Sequence, residues 1–83
     1  MFHKVNAVVA LSDYILSVQF AEGIIKVYDV KPLLNKHPAF QFIKDNPELF
    51  SKVKVDKGGY GIVWNDDLDL SCNELFANGI TIK

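Results

Sequence analysis

Three prolines, Pro32, Pro38 and Pro47, fall between Lys31 and Ser51 and nowhere else in the chain. Proline supplies no N–H to a ladder and is excluded from central strands. Residues 31–51 therefore read as a connection, and any sheet must come from the residues on either side. Within the connection, Pro32 opens a short turn holding Leu33 and Leu34, and Phe40, Phe42 and Ile43 suit a second helical turn. Asn46-Pro47-Glu48 combines an N-cap residue, proline at the first helical position and an acid in the first turn, which predicts a third short helix ending in Leu49 and Phe50.

Before the prolines the pattern is that of strands. Leu16, Val18 and Phe20 alternate with Ser17 and Gln19, the period-two signature of a strand with one buried face. Val5, Ala7, Val9 and Leu11 keep the same period in the preceding segment. Ser12-Asp13-Tyr14 and Ala21-Glu22-Gly23 are the turns, and Ile24 to Val30 completes an antiparallel three-stranded meander.

After the prolines a second β-hairpin is expected: Val53 and Val55, a Lys57-Gly58-Gly59 turn, then Tyr60, Ile62 and Trp64 on one face. A polar turn, Asn65-Asp66-Asp67, leads through Leu68-Asp69-Leu70 to a helix at about residues 72–78. Ser71 and Glu74 have the spacing of a capping box, and Leu70 and Leu75 that of a hydrophobic staple. Gly79 stands where a C-terminal cap is wanted. Ile80 to Ile82 is a candidate for docking on a sheet edge, within this chain or on a second copy. The predicted fold class is α+β, with a C-terminal capped helix, as one domain over residues 1–83.

Eighty-three residues, 49% of them apolar and 12% aromatic, can build one core. Leu16, Val18, Phe20, Val53, Val55, Ile62, Trp64 and Leu75 are its expected members, and the rings of Phe40, Phe50, Tyr60 and Phe76 are also needed there as the largest available burial. Net charge is −1: the part through Ile43 carries four lysines against three acids, the rest five against seven, and arginine is absent. Phosphate neutralisation needs a basic excess, so nucleic-acid binding by this domain is disfavoured. No apolar run approaches the length of a membrane span or resembles a secretion signal. Cys72, the single cysteine, cannot close an intrachain disulfide, and the expected location is the cytoplasm.

No catalytic constellation is present and no cofactor motif. His3 and His37 lack zinc-ligand spacing and are expected to face solvent. Cys72, at the first turn of a helix, is placed for a lowered pKa but has no partner base, and reads as a small apolar filler. Asp66, Asp67 and Asp69 form the only acidic cluster and are the weak candidates for a metal; turn amides are the ordinary use of such side chains. Gly58-Gly59-Tyr60-Gly61 precedes a strand instead of a helix and so lacks the geometry for phosphate. Lys52, Lys54 and Lys57, on or near one hairpin, and Ile80 and Ile82 are the candidate interaction residues.

In order and spacing, Asp13-Tyr14, Leu16, Val18, Phe20, Gly23 and Asp29-Val30-Lys31-Pro32-Leu33-Leu34 resemble the opening of the bacterial family known as domain of unknown function 2442. Phe50, Val53, Val55, Asp56, the glycines, Ile62, Trp64, Asp69-Leu70 and Leu75-Phe76 continue its pattern. One departure is Asn65-Asp66-Asp67, where the family commonly has Pro-Asn-Gly after the tryptophan. The resemblance implies an α+β domain with no established activity. Some members carry a helix-turn-helix after it, for which this chain has no room, and some genes lie beside another small one, as in toxin–antitoxin pairs. A non-enzymatic module that binds a protein partner or a second copy is the expected function, and a small metal-dependent enzyme using the acidic turn is the alternative.

Overall fold

The computed structural model describes residues 3–65 and 67–83. β1 (Val5–Ala10), β2 (Ile15–Phe20) and β3 (Ile25–Asp29) form the meander, and α1 (Lys31–Lys36), α2 (Pro38–Asp45) and α3 (Pro47–Phe50) fill the proline segment. β4 (Lys54–Val55), β5 (Gly61–Asn65) and β6 (Leu68–Ser71) make a second sheet, followed by α4 (Cys72–Asn78) and β7 (Ile80–Thr81). The fold is α+β, with a four-stranded sheet β1-β2-β3-β7 and a three-stranded sheet β4-β5-β6, all pairs antiparallel.

Each of the three proline helices begins with its proline in the first turn, where the missing N–H costs no intrahelical bond. Asn46 does not cap α3 as its sequence context predicts. Its amide instead donates back to the Phe42 carbonyl at 2.9 Å, closing the end of α2. Residues 11–14 join β1 to β2 through a short 3-10 turn, Ser12–Tyr14. Asp13 and Tyr14 both take left-handed backbone, at φ 60° and 58°, which is costly for non-glycine residues. Tertiary contacts hold it there. The Lys31 ammonium donates to the Asp13 carbonyl (2.9 Å) and carboxylate (3.1 Å), while the Tyr14 hydroxyl donates to the Lys44 carbonyl (3.2 Å) and its ring meets Phe50 edge-on at 5.3 Å.

In β1 the sequence alternation and the structure disagree. Val5 lies opposite Phe20, but Ala7 lies opposite Gln19, so Asn6 is an extra residue and the strand bulges. A bulge of one residue reverses the face of everything after it. Val8 and Ala10 therefore point inward beside Val18 and Leu16, while Ala7 and Val9 point outward. The core lies between the inner face of the four-stranded sheet, the second sheet, α4 and the three proline helices, which contribute Leu34, Phe40, Ile43 and Phe50. Leu16, Val18, Phe20, Ile62 and Leu75 are fully buried in it, with Val5, Val30, Ile43 and Cys72.

Val53, Val55 and Trp64 sit at the rim of this core and are half-buried instead of enclosed. Trp64 faces Phe40 edge-on (5.7 Å) and Phe50 near-parallel (6.2 Å), and its indole N–H donates to the Phe50 carbonyl at 3.1 Å. Tyr60 is not core at all: it precedes β5 and is half exposed, with Lys4 over its ring. Gly58 and Gly59 supply the left-handed turn expected of them. Gly79 caps α4 as expected, its N–H donating to the Leu75 carbonyl at 3.0 Å, with extended backbone at φ −78°. Glycine is needed there because a Cβ would stand 2.5 Å from the Leu75 carbonyl oxygen and 3.1 Å from Lys26.

The bulge makes neighbouring valines unequal. Val8→Ala, which removes packing against the core, should cost about 1–2 kcal/mol. Val9→Ala should stay within about 0.5 kcal/mol. Urea denaturation of the two variants checks the register: an unbroken alternation would reverse the order.

Candidate interaction surface

Cross-strand register lays out the outer face of the four-stranded sheet row by row. Val9, Ser17, Val27 and Ile80 form one row through successive pairings. Ala7, Gln19 and Ile25 form the next, completed by Ile82, whose N–H donates to the Ile25 carbonyl at 2.9 Å. At the margin Leu11 donates to the Ile15 carbonyl (2.7 Å), and Ile15 pairs with Asp29. Eight of these eleven residues are apolar, and none packs against the buried cluster. Six large apolar side chains are exposed among the described residues. Four of them lie on this face: Val9 at 56%, Leu11 at 43%, Ile80 at 69% and Ile82 at 60%. A one-sided antiparallel sheet normally turns polar residues to water, so this face has the composition of a covered surface.

Asp29 is the one ionisable residue of the eleven, and it is already engaged. Its carboxylate accepts from the Lys31 backbone N–H (2.9 Å) and pairs with the Lys31 ammonium (3.1 Å). Asp29 first, and then Asp13, raise the Lys31 pKa above its ordinary value.

Beside β7, a groove of about 350 Å³ opens between β3, α1 and α4, lined by residues including Tyr28, Leu33, Lys36 and Glu74. Its floor is a polar chain. The Tyr28 hydroxyl donates to Glu74 Oε2 at 2.7 Å, and the Asn78 amide donates to the same oxygen at 2.8 Å. The capping box is thus half formed: Ser71 Oγ accepts from the Glu74 N–H (3.1 Å), but the Glu74 carboxylate reaches Tyr28 instead of returning to Ser71. Burial, then the Glu74 carboxylate, push the Tyr28 phenol above its ordinary value.

The other sequence-predicted residues scatter. Ile80 and Ile82 join the open face, with Ile80–Thr81 docked on β3 of the same chain. Lys52, Lys54 and Lys57 are exposed along the β4 side of the second sheet and belong to none of the rows of that face. Asp66 lies outside the described residues. Asp69 is exposed on β6, and the Asp67 N–H donates to Asn65 Oδ1 at 2.8 Å. Among the described residues no three His, Cys, Asp or Glu side chains form a group that could hold a metal ion. Cys72 is buried as a small filler. His37 is exposed as expected, but His3 is not free: it stacks on Phe76 at 3.5 Å and lies 2.8 Å from the Glu22 carboxylate. Sequence reading misses Val9, Val27, Ile25 and Ile15 as surface residues, because only the bulge and the pairing register show that they share one face.

This is a small α+β domain whose most distinctive surface is an uncovered apolar sheet. The chain belongs to the family described as protein of unknown function (DUF2442), whose model matches residues 5–81. It is similar to the crystal structure of putative DNA binding protein NE0471 from Nitrosomonas europaea ATCC 19718, with 32% identity and a TM-score of 0.70 over 80% of this chain. The match spans 42% of that protein's chain. No curated protein matches. Among the described residues no helix is long and apolar enough to cross a membrane.

The raised Tyr28 pKa gives stability a definite alkaline limit. The folded state keeps the phenol proton more tightly than the unfolded chain, so this contribution is complete below the ordinary value of 10.0 and is lost as pH rises above it. Tyr28→Phe should therefore lose stability less steeply than the wild type in urea titrations from about pH 8 to about pH 11.

Proposed function

We propose that this domain is a non-enzymatic interaction or regulatory module whose working surface is the outer face of the four-stranded sheet. The observation that carries this reading is the composition of that face: eight of eleven outward residues are apolar, and none is used by the chain's own core. Contiguous exposed apolar surface of this kind marks binding sites for other macromolecules. The setting we assign is the reducing cytoplasm, supported by a single, buried cysteine. The gene arrangement implied by the family makes the product of a neighbouring gene one partner to test.

The Nitrosomonas protein's name offers DNA as a ligand. For this domain, charge argues otherwise: net charge is −1, there is no arginine, and the proposed surface carries one acid and no lysine. Among the described residues no group that could hold a metal ion forms, so the metal-enzyme alternative rests on the composition of the acidic turn.

Two measurements test the proposal. Affinity capture from the native host with wild type and with Ile25→Glu should yield a partner, a second copy included, that the variant loses. Failure of any macromolecule to recognise the face would overturn the reading. In the second, millimolar Mg²⁺ or Ca²⁺ should leave the melting temperature unchanged, since a ligand bound only by the folded state raises it. A rise of several degrees, abolished by Asp67→Asn, would favour the enzyme.

A further inference from the structure

Building on that reading of the open face, we infer that its occupant is a second copy of this chain, the two four-stranded sheets packing face to face about a two-fold axis along the strands. Three features of the face select a copy over a different partner.

The first is charge. A self-pairing surface must not repel itself. Asp29 is the only ionisable group among the eleven, at the margin and held 3.1 Å from Lys31, so the face meets its own image without like charges in contact. An acidic or basic partner would find nothing to complement.

The second is shape. The β3–β7 half carries Ile25, Val27, Ile80 and Ile82, with Asp29 at its end, while the β1–β2 half carries Ala7, Val9, Ser17 and Gln19, with Ile15 and Leu11 at its end. A two-fold axis parallel to the strands places β1 over the partner's β7 and β2 over its β3. Within the paired rows Ala7 then opposes an Ile82, Ser17 a Val27 and Val9 an Ile80. The two smallest positions, Ala7 and Ser17, thus receive larger side chains in both directions at once, as facing layers that interdigitate do, and Gln19 lies over an Ile25.

The third is area. Three strands about 4.8 Å apart and about five residues long, with the two-residue β7 beside them, give a footprint of roughly 280 Å². Two such faces, with their side-chain relief, bury on the order of 1,000 Å² in total, the lower bound for a specific interface. The pairing is therefore reversible and concentration-dependent.

The test exploits the pairing of β1 with β7. Val9 and Ile80 lie outside the core, so charges there leave the fold intact, which a melting curve confirms. In sedimentation velocity from about 10 μM to about 1 mM, the wild type should rise from its 9.3 kDa monomer toward a dimer. Val9→Lys and Ile80→Glu should each weaken that dimer at least tenfold. An equimolar mixture of the two variants should restore it, because the lysine introduced in one copy then faces the glutamate introduced in the other. A wild type that stays monomeric, or a dimer indifferent to both substitutions, would overturn the inference, and failure of the mixture to recover would overturn the two-fold arrangement. A monomeric wild type that still captures a different protein, in a manner Ile25→Glu abolishes, would sink the copy as occupant while leaving the interaction-module reading standing.

Discussion

The extra residue at Asn6 decides which surface this domain shows to the outside. Val5 must stay inside, because it packs opposite Phe20 and its N–H donates to the Gly59 carbonyl at 2.8 Å, joining the two sheets. Without a bulge, period two would carry Ala7, Val9 and Leu11 into the core after it and turn Val8 and Ala10 to water. The bulge reverses that assignment. Inside, Ala10 and Val8 stand beside Leu16 and Val18 and pack against the buried cluster. Outside, Val9 joins a row that already ends in Val27 and Ile80. One inserted residue thus sets both which β1 side chains line the core and the apolar character of the open face.

Polar side chains near this framework serve distant partners in preference to their local ones. Glu74 leaves the capping box for Tyr28, tying α4 to β3, and Lys26 reaches the Phe76 carbonyl at 2.6 Å with its ammonium over the Phe76 ring. Lys31 joins Asp13 to Asp29, holding the left-handed turn before β2 against the end of β3. Each link crosses between the sheet and an element packed beside or below it. The sheet's inner face and ends are therefore fixed, and of the outer-face residues only Asp29, at the margin, takes part in such a link.

How much of this can be read from the chain depends on whether the decisive contact is local. The alternation of Leu16, Val18 and Phe20, the Gly58-Gly59 turn and the Ser71 cap are written in adjacent residues, and the structure has all three. The bulge carries no glycine or other local marker, so alternation alone assigns β1 to the wrong face beyond Val5. Alternation with Ile62 likewise places Tyr60 in the core, but the strand begins only at Gly61. Glu74 and Gly79 are recognisable as cap positions. Gly79 does cap α4, but the partner of the Glu74 carboxylate is Tyr28, from the third strand of the meander, which no local pattern encodes. The open face is legible only in part, through Ile80 and Ile82, because its rows exist only once the register of four strands is known.

Edges and faces of the four-stranded sheet have different availability. At one side β1 meets the β4–β5 turn through the Val5–Gly59 bond, and at the other β7 offers only two residues, Ile80 and Thr81. The short β7 lacks the long row of free N–H and C=O groups that strand addition requires, and β1 is bonded on its outer edge at Val5. At β7 backbone pairing is thus the poorer route to association. The face differs: its eight apolar side chains need no geometric alignment of hydrogen bonds, only removal from water, at about 25 cal/mol per Å² of apolar area. In a domain this small, whose own core leaves a narrow margin of stability, covering that face adds to folding as well as to recognition. Association and stability are then coupled through the same side chains, which separates this surface from the solvated lysines on the β4 side.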